Sequence, residues 1–385
     1  MEQEAKKAKK GFKLFGVIVL IIVAGFVAGL SGEFIARYYL SNVAFFRDLY
    51  FTGSTNQTQG EIVINDPRKV VVEQDLRLSQ IKNEIRPSVL NIYSRQKDNK
   101  NLLDNIFLPE DFLGQAIVLT SDGWLISNAN VSLGSQTGVV IGENKKIYKI
   151  EKIIQDPASS INFIKINAQN LSVAKLADIS KITDGEQLVA YNSFSNIFNL
   201  ANISNGKYKE ISSRYDYINS TQILDKAILL NKNLGSDFVS APIFNFQSEL
   251  IGFIYNSANT ANKVIPINYI DPIINQVLKG EKITRPYLGI NYIDLAQVDG
   301  LDETVRQGAI NGALIWPNQK GIAIAADSPL TGKLVKGDII TSFENQALDA
   351  NNNLNDLLLE YKSGQQVSIK YLHEQKAAEI SIVLK

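Results

Sequence analysis

Apolar and polar positions along this chain fall into three regimes. From about Leu76 to Ile265, short β-rich runs recur with turn signals between them. They cover Val89 to Tyr93, Ala116 to Thr120, Trp124 to Ser127, Gly138 to Ile141, Ile147 to Ile154, Phe163 to Ile166 and Gln187 to Tyr191. Further on come Ala227 to Leu230, Pro242 to Phe244, Leu250 to Ile254 and Lys263 to Ile265. Many short strands with little long helical periodicity predict an all-β barrel or sandwich. Asp122-Gly123 between two of these runs is a strong hairpin signal. One helical segment, Ile267 to Leu278, follows and ends at Lys279-Gly280 in a C-cap signature.

The stretch from 281 onward changes character and reads as a small α/β module. A strand-like start, Tyr287 to Tyr292, leads to Lys336-Gly337-Asp338-Ile339-Ile340. A helix is expected over Asn352 to Tyr361, with Leu354, Leu357 and Leu358 at i, i+3, i+4 spacing and Gly364 beyond its end. Two closing strands surround His373, which reads as an exposed polar residue of the last hairpin.

The N-terminus is different again. Lys6, Lys7, Lys9, Lys10 and Lys13 precede an uncharged stretch from Leu14 to Gly32. At ~1.5 Å rise per residue this nearly matches a ~30 Å hydrocarbon core. A cleaved signal peptide is the rival reading, but the run is long for an h-region and no small-x-small site follows. The expected order is a basic cytoplasmic tail (1–13), a transmembrane helix (14–32), a juxtamembrane segment and linker (33–75), a β-rich domain (76–280) and the α/β module (281–385). The lysines place the N-terminus in the cytoplasm and the main domains outside the cell membrane. Gly25 and Gly29 form a GxxxG pair, a weak sign of helix pairing.

Composition narrows the chemistry. The 385 residues are 45% hydrophobic and 20% charged, as in ordinary globular proteins. Lysine and arginine (39) balance aspartate and glutamate (39), so no global field points to nucleic acid. There are no cysteines and one histidine. Disulfides and Cys/His zinc sites are excluded, no cofactor is expected, and no mechanism can use a histidine before residue 373.

Several motifs then occur in a telling order: Arg86-Pro-Ser-Val-Leu-Asn-Ile92, Gly185-Glu-Gln-Leu-Val-Ala190, Val264-Ile-Pro-Ile-Asn268, Arg285-Pro-Tyr-Leu-Gly-Ile290 and Lys336-Gly-Asp-Ile-Ile340. Together they resemble the HtrA (Deg) family of serine proteases over about residues 76–385. The resemblance implies a mainly β chain, a trypsin-like double β-barrel followed by a PDZ domain.

It also implies where the catalytic residues belong. The family's Thr-Asn-x-His-Val falls on Ser127-Asn128-Ala129-Asn130-Val131, so Asn130 stands at the general base. Ser160 falls on the orienting aspartate and Val239 on the nucleophile, with Asp237 at the oxyanion-loop glycine. Asparagine cannot take a hydroxyl proton near neutral pH and valine has no hydroxyl. A carboxylate at 237 would oppose a developing negative charge. A register shift could bring Asp156, Ser236 or Ser240 nearer, and a Ser–Lys dyad is the remaining escape. The expectation is a chain that is not an enzyme, a pseudo-protease.

The PDZ loop keeps more of its pattern. Tyr287, Leu288, Gly289 and Ile290 fit the x-Φ-G-Φ loop whose backbone amides hold a peptide carboxylate while the peptide adds a strand to the sheet edge. The partners so implied are peptide C-termini or unfolded protein segments, in a chaperone-like or regulatory role in envelope protein quality control. The bland alternative is a PDZ fold used as a structural cap. Ile106-Phe-Leu-Pro-Glu-Asp-Phe112 falls where the family carries an aromatic-rich assembly loop, which raises a homotrimer or a mixed assembly with an active homologue.

Overall fold

The computed structural model describes residues 23–25, 28, 67–94, 101–129, 138–257 and 260–385. Contacts divide the chain into residues 1–69 and 70–385, and the second unit holds all three sheets. Among the described residues no helix is long and apolar enough to cross a membrane. The span expected over 14–32 lies outside them except for helical Val23, Ala24, Gly25 and Ala28.

A helix, α1 (Pro67–Ile85), crosses the boundary expected at 75/76. Ile81 and Ile85, four apart and thus on one face, are fully buried with Leu78 beside them, which fixes the helix to the barrel core. The strands β1 (Val89–Ser94), β2 (Phe112–Val118), β3 (Trp124–Ser127), β4 (Gly138–Ile141), β5 (Ile147–Gln155) and β6 (Asn162–Ile166) follow. They close into a barrel in the order β1-β2-β3-β6-β5-β4. The Asp122-Gly123 turn joins β2 to β3 as expected, with Val118 opposite Leu125.

The next stretch of chain forms β7 (Lys175–Leu176), β8 (Gln187–Asn192), β9 (Ile197–Tyr208), β10 (Ile218–Ser220), β11 (Ala227–Leu230), β12 (Pro242–Phe244), β13 (Glu249–Ser257) and β14 (Thr260–Pro266), most of which build a second barrel. Of these, β12-β8-β9-β11-β14-β13 close on themselves through a β12–β13 pairing, and β7 lies parallel to β13. β10 leaves this barrel altogether. The helix expected over Ile267 to Leu278 is broken: a 3-10 turn (Ile267–Ile270) precedes a short α2 (Ile274–Leu278). Pro272 contributes to this, because it has no amide to continue the helical hydrogen-bond ladder, although Asp271 before it keeps helical backbone.

The C-terminal module holds β15 (Asn291–Asp294), α3 (Glu303–Arg306), β16 (Ala313–Ile315), β17 (Ile339–Phe343), β18 (Gln346–Ala347), α4 (Leu354–Leu358), β19 (Gln366–His373) and β20 (Lys376–Val383). Its sheet runs β10-β15-β16-β17-β19-β20. The strand from the second barrel is thus the outermost strand of the C-terminal sheet. Leu354, Leu357 and Leu358 pack α4 onto Leu288, Ile290 and Phe343. Asn353 caps α4 by accepting from the Asp356 amide (3.1 Å).

Candidate functional site

Two places deserve a chemical account: the junction of the barrels, and the edge of the C-terminal sheet. At the junction, the Ile254 carbonyl on β13 accepts both the Asn128 side-chain amide (3.3 Å) and the Ser240 backbone amide (2.8 Å). Stretch 127–129 after β3 therefore meets the loop 236–241 before β12 at one atom. Gly114 lets them close in, since a Cβ there would lie 2.5 Å from Ala129 Cβ and 3.5 Å from Ser240 Cβ. Asn162 on β6 completes the frame by donating to the Ala129 carbonyl (2.8 Å). Asn130 itself lies outside the described residues.

The remaining expected positions sit around this junction in different states. Ser160 is exposed with φ +60°, in a turn closed by its own amide on the Asp156 carbonyl (3.1 Å). Val239 is half-buried against the second barrel's core, beside buried Phe238. Asp237 and Ser236 are exposed, and the Asp237 carbonyl accepts from the Asn192 side chain (2.6 Å). Ser240 is buried with φ +65°. Asp156, 1% exposed, is fully engaged elsewhere. Its carboxylate accepts the amides of Ala158 (3.3 Å) and Ser159 (3.1 Å), the Ser159 hydroxyl and the Arg285 guanidinium. The structure gives Asp156 to the segment that leads into the C-terminal module, not to the barrel junction.

At the second place, Leu288 and Ile290 are fully buried in the module's core, so they hold the loop rigid. Gly289 between them has φ +70°, and a Cβ would come within 2.9 Å of Ser328 Cβ and the Tyr287 ring. Only glycine fits that backbone without strain. The Leu288 carbonyl accepts from the Ser328 hydroxyl (2.6 Å), the Gly289 carbonyl from Ala325 (2.8 Å), and the Tyr287 amide donates to the Lys385 carbonyl (2.8 Å). Among the described residues the amides of Leu288 and Gly289 donate to nothing. Two free, adjacent N–H groups on a rigid loop are suited to an anionic oxygen. Burial, then the hydrogen bond to Asp327, pushes the Tyr287 phenol up, so it stays a neutral donor. A cavity of about 210 Å³ opens beside the loop, walled by Thr221, Leu224, Pro286, Tyr287, Leu358 and Leu359 among others.

The leucines of α4 thus serve both core and cavity. His373 is exposed in the last hairpin as expected, where it ends β19, and in addition its Nδ1 lies 2.6 Å from a carboxylate oxygen of buried Asp338. Sequence reasoning missed Thr221 and Asn355, which border the loop and α4. Neither belongs to a motif; the pairing of β10 with β15 brings Thr221 there, while Asn355 stands on α4 itself.

The fold and both places now meet the comparisons with known proteins. The PDZ domain model matches residues 286–384. A probable periplasmic serine endoprotease, DegP-like, from Marinomonas sp. (strain MWYL1) is 27% identical over 71% of this chain and 57% of its own length. The chain thus spans little more than half of that relative. Serine endoprotease DegS of Haemophilus influenzae is 22% identical over 79% of this chain and 87% of its own length. The solved structure of the HtrA-type protease AlgW with tripeptide superposes with a TM-score of 0.55 at 17% identity, covering 80% of this chain and 96% of that one. The chain therefore carries a PDZ domain and has the fold of HtrA-type proteases. The resemblance to PDZ-bearing HtrA/Deg serine proteases is supported.

One expectation is corrected. Relatives of this chain are named serine endoproteases, which points to protease activity and overturns the expectation that it is not an enzyme. With Asn130 outside the described residues, the geometry supplies no separate ground for that expectation.

Proposed function

We propose that the chain is an HtrA-like component of envelope protein quality control whose PDZ domain binds peptide C-termini or unfolded protein segments. The observation that supports this best is the pair of unused amides at Leu288 and Gly289, on a loop held by buried side chains, next to a cavity whose walls are more apolar than polar. A peptide carboxylate would accept from these amides and the last side chain would enter the cavity. The test is fluorescence anisotropy on the full chain with an octapeptide ending in leucine, as free acid and as C-terminal amide. Saturable binding of the acid, weakened at least about tenfold in the amide, is expected from the loss of one or more charged hydrogen bonds. Equal or absent binding of both would leave a structural cap. The lysine-flanked run 14–32 further supports a single-pass anchor with its N-terminus in the cytoplasm; resistance of the membrane-bound chain to carbonate extraction tests that.

The names of the relatives favour a second reading alongside, a serine endopeptidase. With valine at 239, its hydroxyl would come from Ser236 or Ser240, and its base from a side chain other than His373, which lies in the PDZ domain. Labelling by a fluorophosphonate, mapped by mass spectrometry, decides it. A chain that takes no label and cleaves no unfolded protein ends this reading.

A further inference from the structure

By sequence, β10 belongs to the segment linking β9 to β11 in the second barrel. In space it pairs antiparallel with β15, the strand that follows the Tyr287–Ile290 loop. Ile218 lies opposite Ile293, Asn219 opposite Tyr292 and Ser220 opposite Asn291, so this segment runs toward the loop. That is the direction a peptide takes when it adds a strand to this edge with its C-terminus at the loop. The mimicry continues past the strand. The Thr221 amide donates to the Ile290 carbonyl (3.1 Å), and the Ile290 amide donates to the Thr221 hydroxyl oxygen (3.1 Å). From the opposite wall, the Asn355 side chain on α4 donates to the Ser220 carbonyl (2.9 Å) and also bonds the Tyr292 hydroxyl (3.1 Å). Strand edge, loop and helix all grip the same few residues.

We propose that residues 217–223 are an internal ligand of the PDZ groove, and that an incoming peptide binds by displacing them. The internal ligand is incomplete in two respects. It offers a hydroxyl where a peptide offers a carboxylate, engaging the Ile290 amide and leaving those of Leu288 and Gly289 unused. Its chain also continues beyond Thr221, so no terminal side chain fills the cavity between Leu224, Pro286 and Leu358. The displacing ligand is therefore a peptide with a free carboxylate and an apolar last residue. Such a peptide gains charge-assisted hydrogen bonds and apolar burial that residues 217–223 cannot supply. Its apparent affinity is its intrinsic affinity scaled by the fraction of molecules with the groove open.

This proposal rests on the peptide-binding reading above, and the experiment separates the two. The probe is the fluorescein-labelled octapeptide acid ending in leucine, titrated into the full chain. In one variant, residues 217–223 are replaced by an equally long Gly/Ser segment. In the other, Ser220→Cys is combined with Asn291→Cys. Because the Thr221 amide donates to the Ile290 carbonyl, alternation along the ladder makes Ser220 and Asn291 the non-hydrogen-bonded pair, with Cα atoms close enough for a disulfide. The chain has no other cysteine to compete. Removing the internal ligand is expected to tighten binding by at least about tenfold. Oxidising the double-cysteine variant is expected to abolish binding and reduction to restore it. Unchanged affinity without residues 217–223, or equal binding by the oxidised and reduced forms, overturns the proposal and leaves the groove a peptide site. If no form binds, the reduced and open forms included, the peptide-binding reading falls and the proposal with it.

Discussion

Gly289 and His373 show how much single positions in the C-terminal module carry. Gly289→Ala puts a methyl group into a backbone with φ +70°, within 2.9 Å of Ser328 Cβ. The expected cost is about 1–3 kcal/mol, read as a lower midpoint in thermal unfolding. His373 faces the Asp338 carboxylate, and this hydrogen bond and charge raise the imidazole pKa above its ordinary value. A raised folded pKa means that the pair contributes fully below the ordinary pKa of about 6.5 and loses its contribution as pH climbs through the raised value. The PDZ domain should thus unfold at a higher temperature at pH 6 than at pH 8.5, and His373→Gln should flatten that difference. Of these two residues, Gly289 was legible in the sequence from its x-Φ-G-Φ context. The Asp338 partner of His373 was not, because it lies 35 positions away and is reached only across β17 and β19.

Elements follow the same division. Strands that are short runs of consecutive, mostly buried apolar residues were readable: β3, β4, β11 and β12 begin and end where the pattern places them. β9 was not, because Asn199, Asn202, Asn205 and Gly206 dilute its pattern and only Ala201 and Ile203 are buried. α1 was hidden by its many charged and glutamine positions, which leave a narrow stripe of Leu78, Ile81 and Ile85 to pack. β10 is three residues long, and its partner lies 70-odd positions downstream, so no local signal marks it. The place where β10's segment rejoins the second barrel is held by Lys226, whose ammonium lies 3.3 Å from Asp356 on α4. Burial pushes Lys226 down and Asp356 opposes the shift. Asp356→Ala would leave this mostly buried pair without its anion, and also remove the contact to Lys207 (3.1 Å). A loss of about 1–3 kcal/mol is expected in denaturant unfolding, with Asp356→Asn in between.

For the whole molecule, the two barrels and the PDZ domain are joined at several points, among them β10 pairing with β15 and Arg285 bonding Asp156. The architecture of barrels followed by a PDZ domain was legible from the order of motifs. Their interlocking was not, since it depends on a non-local strand and on a carboxylate that the motif places in a different role. The second contact has a mechanical consequence. Arg285 precedes the PDZ loop by a single proline, and it is fastened to the turn between β5 and β6 of the first barrel. The domain is therefore leashed at its first residues as well as at β10, and load on Arg285 reaches the turn that carries Ser160. Arg285→Ala combined with Asp156→Asn cuts the leash without stranding a buried charge. Small-angle scattering should then report a larger radius of gyration and a broader spread of interdomain angles, whereas an unchanged profile would place the restraint elsewhere.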